Sequence, residues 1–348
     1  QKMFNHPNCE NYFQIKRGIN ISHWLSQNPD KNSNRNRLFT VEDAALISRL
    51  GYDHVRIPVD EEHLWDEQGN RLESSFEMLH EGIKWCLEND LKIILDLHQI
   101  RSHSFNSRNN LLWKSAKAQN EFIQMWLLLS GEFSKYPVED LAYELLNEAV
   151  ADSSSQWNRL LKTTIDSIRK REPYRKIIFG SNKWQTPKTF HELVVPENDS
   201  NIILSFHFYA PHAFTHYRAH WLEAGKYIGP VNYPGQVIEP ENLTGYPENV
   251  LKGINQSNGY YTKDTLLGNI QEPLLYAKEH RLQLYCGEFG CVPFVPRTMR
   301  LQWYKDVREM FEMNGIAWSN WDYKGLFGIF NSGNGNPDQY LMDVLIPE

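Results

Sequence analysis

Eight short apolar runs, nearly all separated by amphipathic stretches at helical spacing, constrain the fold most. The runs fall at 15–20, 53–58, 92–97, 141–146, 176–180, 202–206, 283–286 and 316–318. Helical patterns lie at 41–50, 76–88, 118–134, 155–170, 264–280 and 298–313, and a short terminal helix is expected at 338–345. A strand with helices on its outer face and side chains filling its inner face is buried on both, so it reads as a continuous apolar run. Eight such units close into a (β/α)8 barrel of about 250 residues plus insertions. The expected fold is therefore α/β, a single (β/α)8 TIM barrel over 1–348. The excess length forms an insertion after strand 6, at about 210–263. That segment is rich in Gly, Pro, Tyr and Trp without a strong period, which points to a folded lid or cleft wall. A doubly wound open sheet would carry a glycine-rich first turn, whereas the first run here ends in Asn20-Ile21-Ser22-His23.

Composition removes several classes. Of 348 residues, 41% are hydrophobic and 23% charged, enough apolar material for a large core. The net charge of -7 gives no basic face for nucleic acid. A mean hydropathy of -0.57, with no apolar run of membrane length, gives no spanning helix. Trp (11) and Tyr (17) are abundant. Their flat faces can stack on sugar rings, although a core position is the commoner use of any single Trp. Cys9, Cys86, Cys286 and Cys291 form no C-x-x-C pair. Cys86 and Cys286 read as small buried hydrophobes, and no disulfide is expected between Cys286 and Cys291.

Polar residues gather where the apolar runs end. Arg56 follows Val55, His98 follows Leu97, Asn147-Glu148 follows Leu146, His207 and Tyr209 flank Phe208, Glu288 follows Gly287, and Trp321 follows Asn320. Each has a plain structural reading alone: a buried counter-ion, a bonded histidine, a helix cap, a turn. A polar group after a buried run is costly unless paired, and in a barrel the C-terminal strand ends converge on one mouth. Six such ends point to one network. Two carboxylates facing each other there suit glycoside hydrolysis, in which one protonates the leaving oxygen and the other meets the oxocarbenium-like carbon.

At these residues the chain resembles glycoside hydrolase family five, the cellulase family. The resemblance runs from Lys16-Arg17-Gly18-Ile19-Asn20 to Trp321. It is carried by Val-Arg-Ile-Pro (55–58), Leu-Asp-Leu-His (95–98), Leu-Asn-Glu (146–148), His-Phe-Tyr (207–209) and Gly-Glu-Phe-Gly (287–290). It implies Glu148 as acid/base and Glu288 as nucleophile. Asn147 would hold the sugar 2-hydroxyl, and Arg56 and Tyr209 would orient the nucleophile. His98 and His207 would bind hydroxyls or tune the acid/base, with Trp321 as the floor of the reacting subsite. One departure is Ala149, where the family usually has proline after the acid/base.

The expected activity is a retaining endo-acting β-glucanase on β-1,4 or mixed-linkage glucan. β-Mannanase or exo-acting β-glycosidase action, and a non-catalytic carbohydrate-binding barrel, stand as alternatives. Trp24, Trp113, Trp184, Trp221, Phe214 and Tyr323 are candidate sugar platforms. No cofactor is expected. His98, His103, His207, His212 and His216 could suggest a metal, but the first strand lacks His-x-His, so no metal is expected either. A monomer is expected, secreted or at the cell surface or periplasm, with its signal peptide already removed.

Overall fold

The computed structural model describes residues 13–30, 33–331 and 333–348, and Cys9 lies outside them. Ten strands run in chain order: β1 (Arg17–Asn20), β2 (His54–Asp60), β3 (Lys92–Gln99), β4 (Leu141–Glu144), β5 (Ile177–Phe179), β6 (Ile202–Phe208), β7 (Gly235–Gln236), β8 (Tyr260–Tyr261), β9 (Gln283–Phe289) and β10 (Ala317–Asn320). Eight of them close a parallel barrel in the order β1-β2-β3-β4-β5-β6-β9-β10, with β10 pairing back onto β1. Each expected strand is present within a few residues. The first starts at Arg17 rather than residue 15. Phe13 and Ile15 instead join Ile94, Ala142, Ile178, Ile203, Tyr285 and Ala317 in a separate apolar cluster that fills the barrel.

The helices are α1 (Val41–Arg49), α2 (Glu61–Leu64), α3 (Glu73–Leu87), α4 (Ala116–Phe133), α5 (Ser154–Arg169), α6 (Asn182–Gln185), α7 (His212–Thr215), α8 (Glu248–Asn255), α9 (Lys263–Gly268), α10 (Gln271–His280), α11 (Arg297–Met313) and α12 (Gln339–Leu345). Their apolar faces pack on the outside of the sheet in one continuous core, the burial expected of an amphipathic stripe. Helix α1 begins with a capping box in which Thr40 and Asp43 satisfy each other's backbone N–H. The single helix expected at 264–280 is two, α9 and α10. The break follows Gly268, a residue with poor helix propensity.

Between β6 and β9 lie α7, the β7–β8 antiparallel pair and α8. This segment is anchored to the barrel wall. The Tyr233 hydroxyl donates to Asp306 of α11 at 2.8 Å, and Phe214 packs on Tyr233. Among the described residues, Cys86, Cys286 and Cys291 are free and buried, and no helix is long and apolar enough to cross a membrane.

Candidate active site

Strand side chains alternate, so residues two apart share a face. Ile94, Asp96 and His98 therefore rise in line along β3, as do Ile203, Ser205 and His207 along β6 and Ala142 and Glu144 along β4. The first member of each line belongs to the apolar cluster in the barrel. Above it lies a charged layer, and above that the histidines of the mouth. Asp96 and Glu144 stand side by side, as register partners of adjacent strands.

Arg56 of β2 organises the charged layer. Its Nε and Nη2 donate to Glu144 Oε2 and Oε1 at 2.7 and 3.0 Å. Nη1 donates to Asn20 Oδ1 at 2.9 Å and Glu288 Oε1 at 2.8 Å. Nη2 also donates to Asn147 Oδ1 at 2.9 Å and lies 3.1 Å from Asp96 Oδ2. Burial alone would lower the pKa of this fully buried guanidinium; Asp96, Glu144 and Glu288 outweigh that and hold it well above its usual value. Guanidinium has no acceptor, so Asn147 must turn its oxygen to Arg56. Its amide nitrogen is then the end left for a ligand.

A bulge aims Glu288. Along β9 and β6 the register runs Cys286 to Phe206 and then Glu288 to His207, so Gly287 is the extra residue. Tyr285 faces into the barrel. Strict alternation would turn Glu288 outward, and the inserted residue reverses that parity. Both Glu288 oxygens are then held, Oε1 by Arg56 and Oε2 by the Tyr209 hydroxyl at 2.8 Å.

Glu148 follows β4 in a left-handed backbone conformation, φ +49°. Its Oε1 lies 2.7 Å from His207 Nδ1, and the same nitrogen is 3.6 Å from Glu288 Oε2. Burial, reinforced by Asp96 and Glu144 and opposed by Arg56, lifts the Glu148 pKa to about 8. Burial lowers that of His207 to about 4 and that of His98 to about 3, so both imidazoles are neutral near pH 7. His98 bonds Asp96 through Nδ1 at 2.7 Å and stacks on Trp321, the planes 6° apart. Burial raises Asp96 to about 7.

Oxygens of Glu148 and Glu288 and a nitrogen of His207 lie within 4.8 Å of one another, a spacing that could admit a metal ion. These atoms are already committed. His207 Nδ1 bonds Glu148, both Glu288 oxygens accept from neutral or cationic donors, and Arg56 places a positive charge against the cluster. The site is built for hydrogen bonding and proton transfer: a half-buried carboxyl with its pKa raised to about 8 faces a second carboxyl fixed by Arg56 and Tyr209.

The structure gathers Arg56, His98, Asn147, Glu148, His207, Tyr209, Glu288 and Trp321 in this one constellation. The aromatic platforms divide. Trp24 is fully buried, packed on Phe39 and against Gly82, and cannot meet a ligand. Trp113 is buried edge-on to His103 and Trp157. Phe214 is buried beneath Tyr233, and Tyr323 is buried with its hydroxyl on Asp43. These four belong to the core. Trp184 and Trp221 are 48% and 49% exposed and keep open faces. Asn20, Glu144 and Gln185 were missed by the sequence reading. Glu144 carried a signal, a charge inside an apolar run, and so did Asn20, a polar residue at the end of the first run; Gln185 carried none.

Comparison with known proteins places the chain in a family. Residues 21–326 match the cellulase family, glycosyl hydrolase family 5. The chain belongs to that family. This glycoside hydrolase is 29% identical to endoglucanase C of Acetivibrio thermocellus over 337 residues, 95% of this chain and 98% of that one. It is 25% identical to cellodextrinase A of Ruminococcus flavefaciens, over 87% of this chain and 84% of that one. Its fold superposes on the cellulose synthase subunit Z of Clostridioides difficile with a TM-score of 0.77 and 26% identity, covering 96% of this chain and all of that one. The family 5 enzyme thus carries its matched residues on a closed eight-stranded barrel.

Proposed function

We propose that the enzyme is a retaining, endo-acting β-glucanase that cleaves β-1,4 or mixed-linkage glucan by double displacement. The observation that carries this reading is the closeness of two carboxyls in unlike surroundings. One oxygen of Glu148 and one of Glu288 lie within 4.8 Å of each other, a close approach of the kind a retaining pair needs, whose carboxyl groups stand ~5–5.5 Å apart. Glu148, protonated at neutral pH, gives its proton to the leaving oxygen. Glu288, held by Arg56 and Tyr209, attacks the anomeric carbon and forms a glycosyl-enzyme. That step removes the Glu288 charge, the Glu148 pKa falls, and Glu148 then takes a proton from the water that releases the sugar. Asn147 presents its amide nitrogen to the 2-hydroxyl, and Trp321 backed by His98 forms the floor. The names of the relatives, an endoglucanase and a cellodextrinase, support a glucan substrate. The reading includes a monomer acting outside the cell, where a polymer too large to cross a membrane is met.

The test is product analysis on carboxymethylcellulose, lichenan, xyloglucan and mannan. The proposal expects viscosity to fall early relative to reducing ends on a glucan, with the β-anomer formed first. Short products without viscosity loss would make the enzyme exo-acting. Turnover of mannan alone would make it a mannanase, and no turnover a binding barrel.

A further inference from the structure

Glu148 adopts a left-handed backbone conformation that is unfavourable for an L-residue, so its neighbours must hold it there. The segment that does so, Lys183-Trp184-Gln185, is itself left-handed at three successive residues, φ +61°, +64° and +52°. This turn and residues 148–151 grip each other. Trp184 N–H donates to Ala149 O at 3.2 Å. Ala151 N–H donates to Asn182 Oδ1 at 2.8 Å, and Lys183 Nζ donates to Ala151 O at 2.7 Å. The bond that reaches Glu148 itself runs from its N–H to Gln185 Oε1, 2.8 Å.

The Gln185 side chain is buried. Its Nε2 donates to Glu144 Oε1 at 3.3 Å and to Ser205 Oγ at 3.2 Å, which fixes the amide orientation, since only Oε1 can accept from Glu148. Gly180, at the end of β5, makes the space: a Cβ there would stand 2.5 Å from Gln185 Cγ. Glu144 is the carboxylate that clasps Arg56, and Arg56 donates to Glu288. A continuous line of hydrogen bonds therefore runs from the Glu148 backbone through Gln185, Glu144 and Arg56 to the Glu288 carboxylate.

We propose that Gln185 is a positioning residue that sets the place of Glu148 relative to Glu288, and through that place the protonation of Glu148. Ala149 stands where the family pattern has proline, so this loop lacks the fixed φ a proline would supply, and the 182–185 turn constrains it instead. The proposal rests on Glu148 being the acid/base. A displacement of about 1 Å at a reacting group can cost ~10²-fold in rate, and Gln185 touches the backbone from which the carboxyl hangs.

The experiment compares Gln185→Ala, the near-isosteric Gln185→Met and Glu148→Gln on two substrates, cellotetraose and 2,4-dinitrophenyl β-cellobioside. For both Gln185 variants, kcat/KM on cellotetraose should fall roughly 10–100-fold, and on the activated glycoside less than about threefold, since a good leaving group needs no proton. The basic limb of the kcat/KM profile should move to lower pH, because a displaced Glu148 is better hydrated. Equal losses on both substrates with an unmoved basic limb would overturn the proposal and leave Gln185 a packing residue. If Glu148→Gln itself shows no leaving-group discrimination, the acid/base reading fails; if it does and the Gln185 variants do not, only the present proposal fails. Amide exchange in the unmodified protein tests it without a variant. The Glu148 N–H should be protected like core amides, and exchange at the rate of an open loop would contradict the clamp.

Discussion

His207 Nδ1 stands 2.7 Å from Glu148 Oε1, and near pH 7 neither partner is charged, because burial raises the carboxyl to about 8 and lowers the imidazole to about 4. The pair holds a transferable proton without paying for a buried ion.

This predicts both a rate profile and a stability profile. The kcat/KM of the free enzyme should fall as pH rises through about 8, when Glu148 ionises. Stability has the same sign. The unfolded carboxyl ionises near 4.5 and the folded one near 8, so between these values the folded state binds more protons and its stability declines with rising pH. Glu148→Gln removes that penalty. Its Tm should exceed that of the parent by a few degrees at pH 8 and by much less at pH 4.5. An equal difference at both pH values would contradict the buried protonated carboxyl.

Arg56 meets three buried carboxylates, one of them through two parallel bonds. A lysine offers one point charge and cannot reproduce the fork. Arg56→Lys should cost about 3–5 kcal/mol, the range for breaking a buried pair, read from urea midpoints. A loss under about 1 kcal/mol would mean that the carboxylates discharge without it.

The tryptophans give a paired test. Trp24→Ala empties a fully buried site and should cost about 3–5 kcal/mol, with KM unchanged in whatever folds. Trp184, half exposed and anchored by its Nε1 on Phe105 O at 2.9 Å, should behave oppositely. Trp184→Ala should leave Tm nearly unmoved and raise KM for cellohexaose more than for cellotriose. Equal KM values across chain length would remove it as a platform.

The barrel was legible in the sequence because strands buried on both faces leave continuous apolar runs, and the mouth was legible because polar residues end those runs. Tryptophan position was not. A residue's place after a strand end does not say whether its side chain turns to the groove or under the loop, and Trp24, Trp113 and Phe214 turned under. Glu144 could have been found, since a charge within Leu141–Leu146 two residues from Leu146 shares a barrel face with Ala142. Gln185 could not. Its importance comes from a left-handed turn that brings it to the Glu148 amide from 37 residues away, and nothing in its neighbours forecasts that turn.

The assignment of Glu288 as the attacking group is tested most directly by trapping. Incubation with an activated 2-deoxy-2-fluoro-β-cellobioside, followed by proteolysis and mass spectrometry, should place the fluorosugar on the peptide containing Glu288, with inactivation abolished in Glu288→Gln. A label on Glu148 or Glu144, or turnover with no covalent species and an α-anomeric first product, would contradict the account.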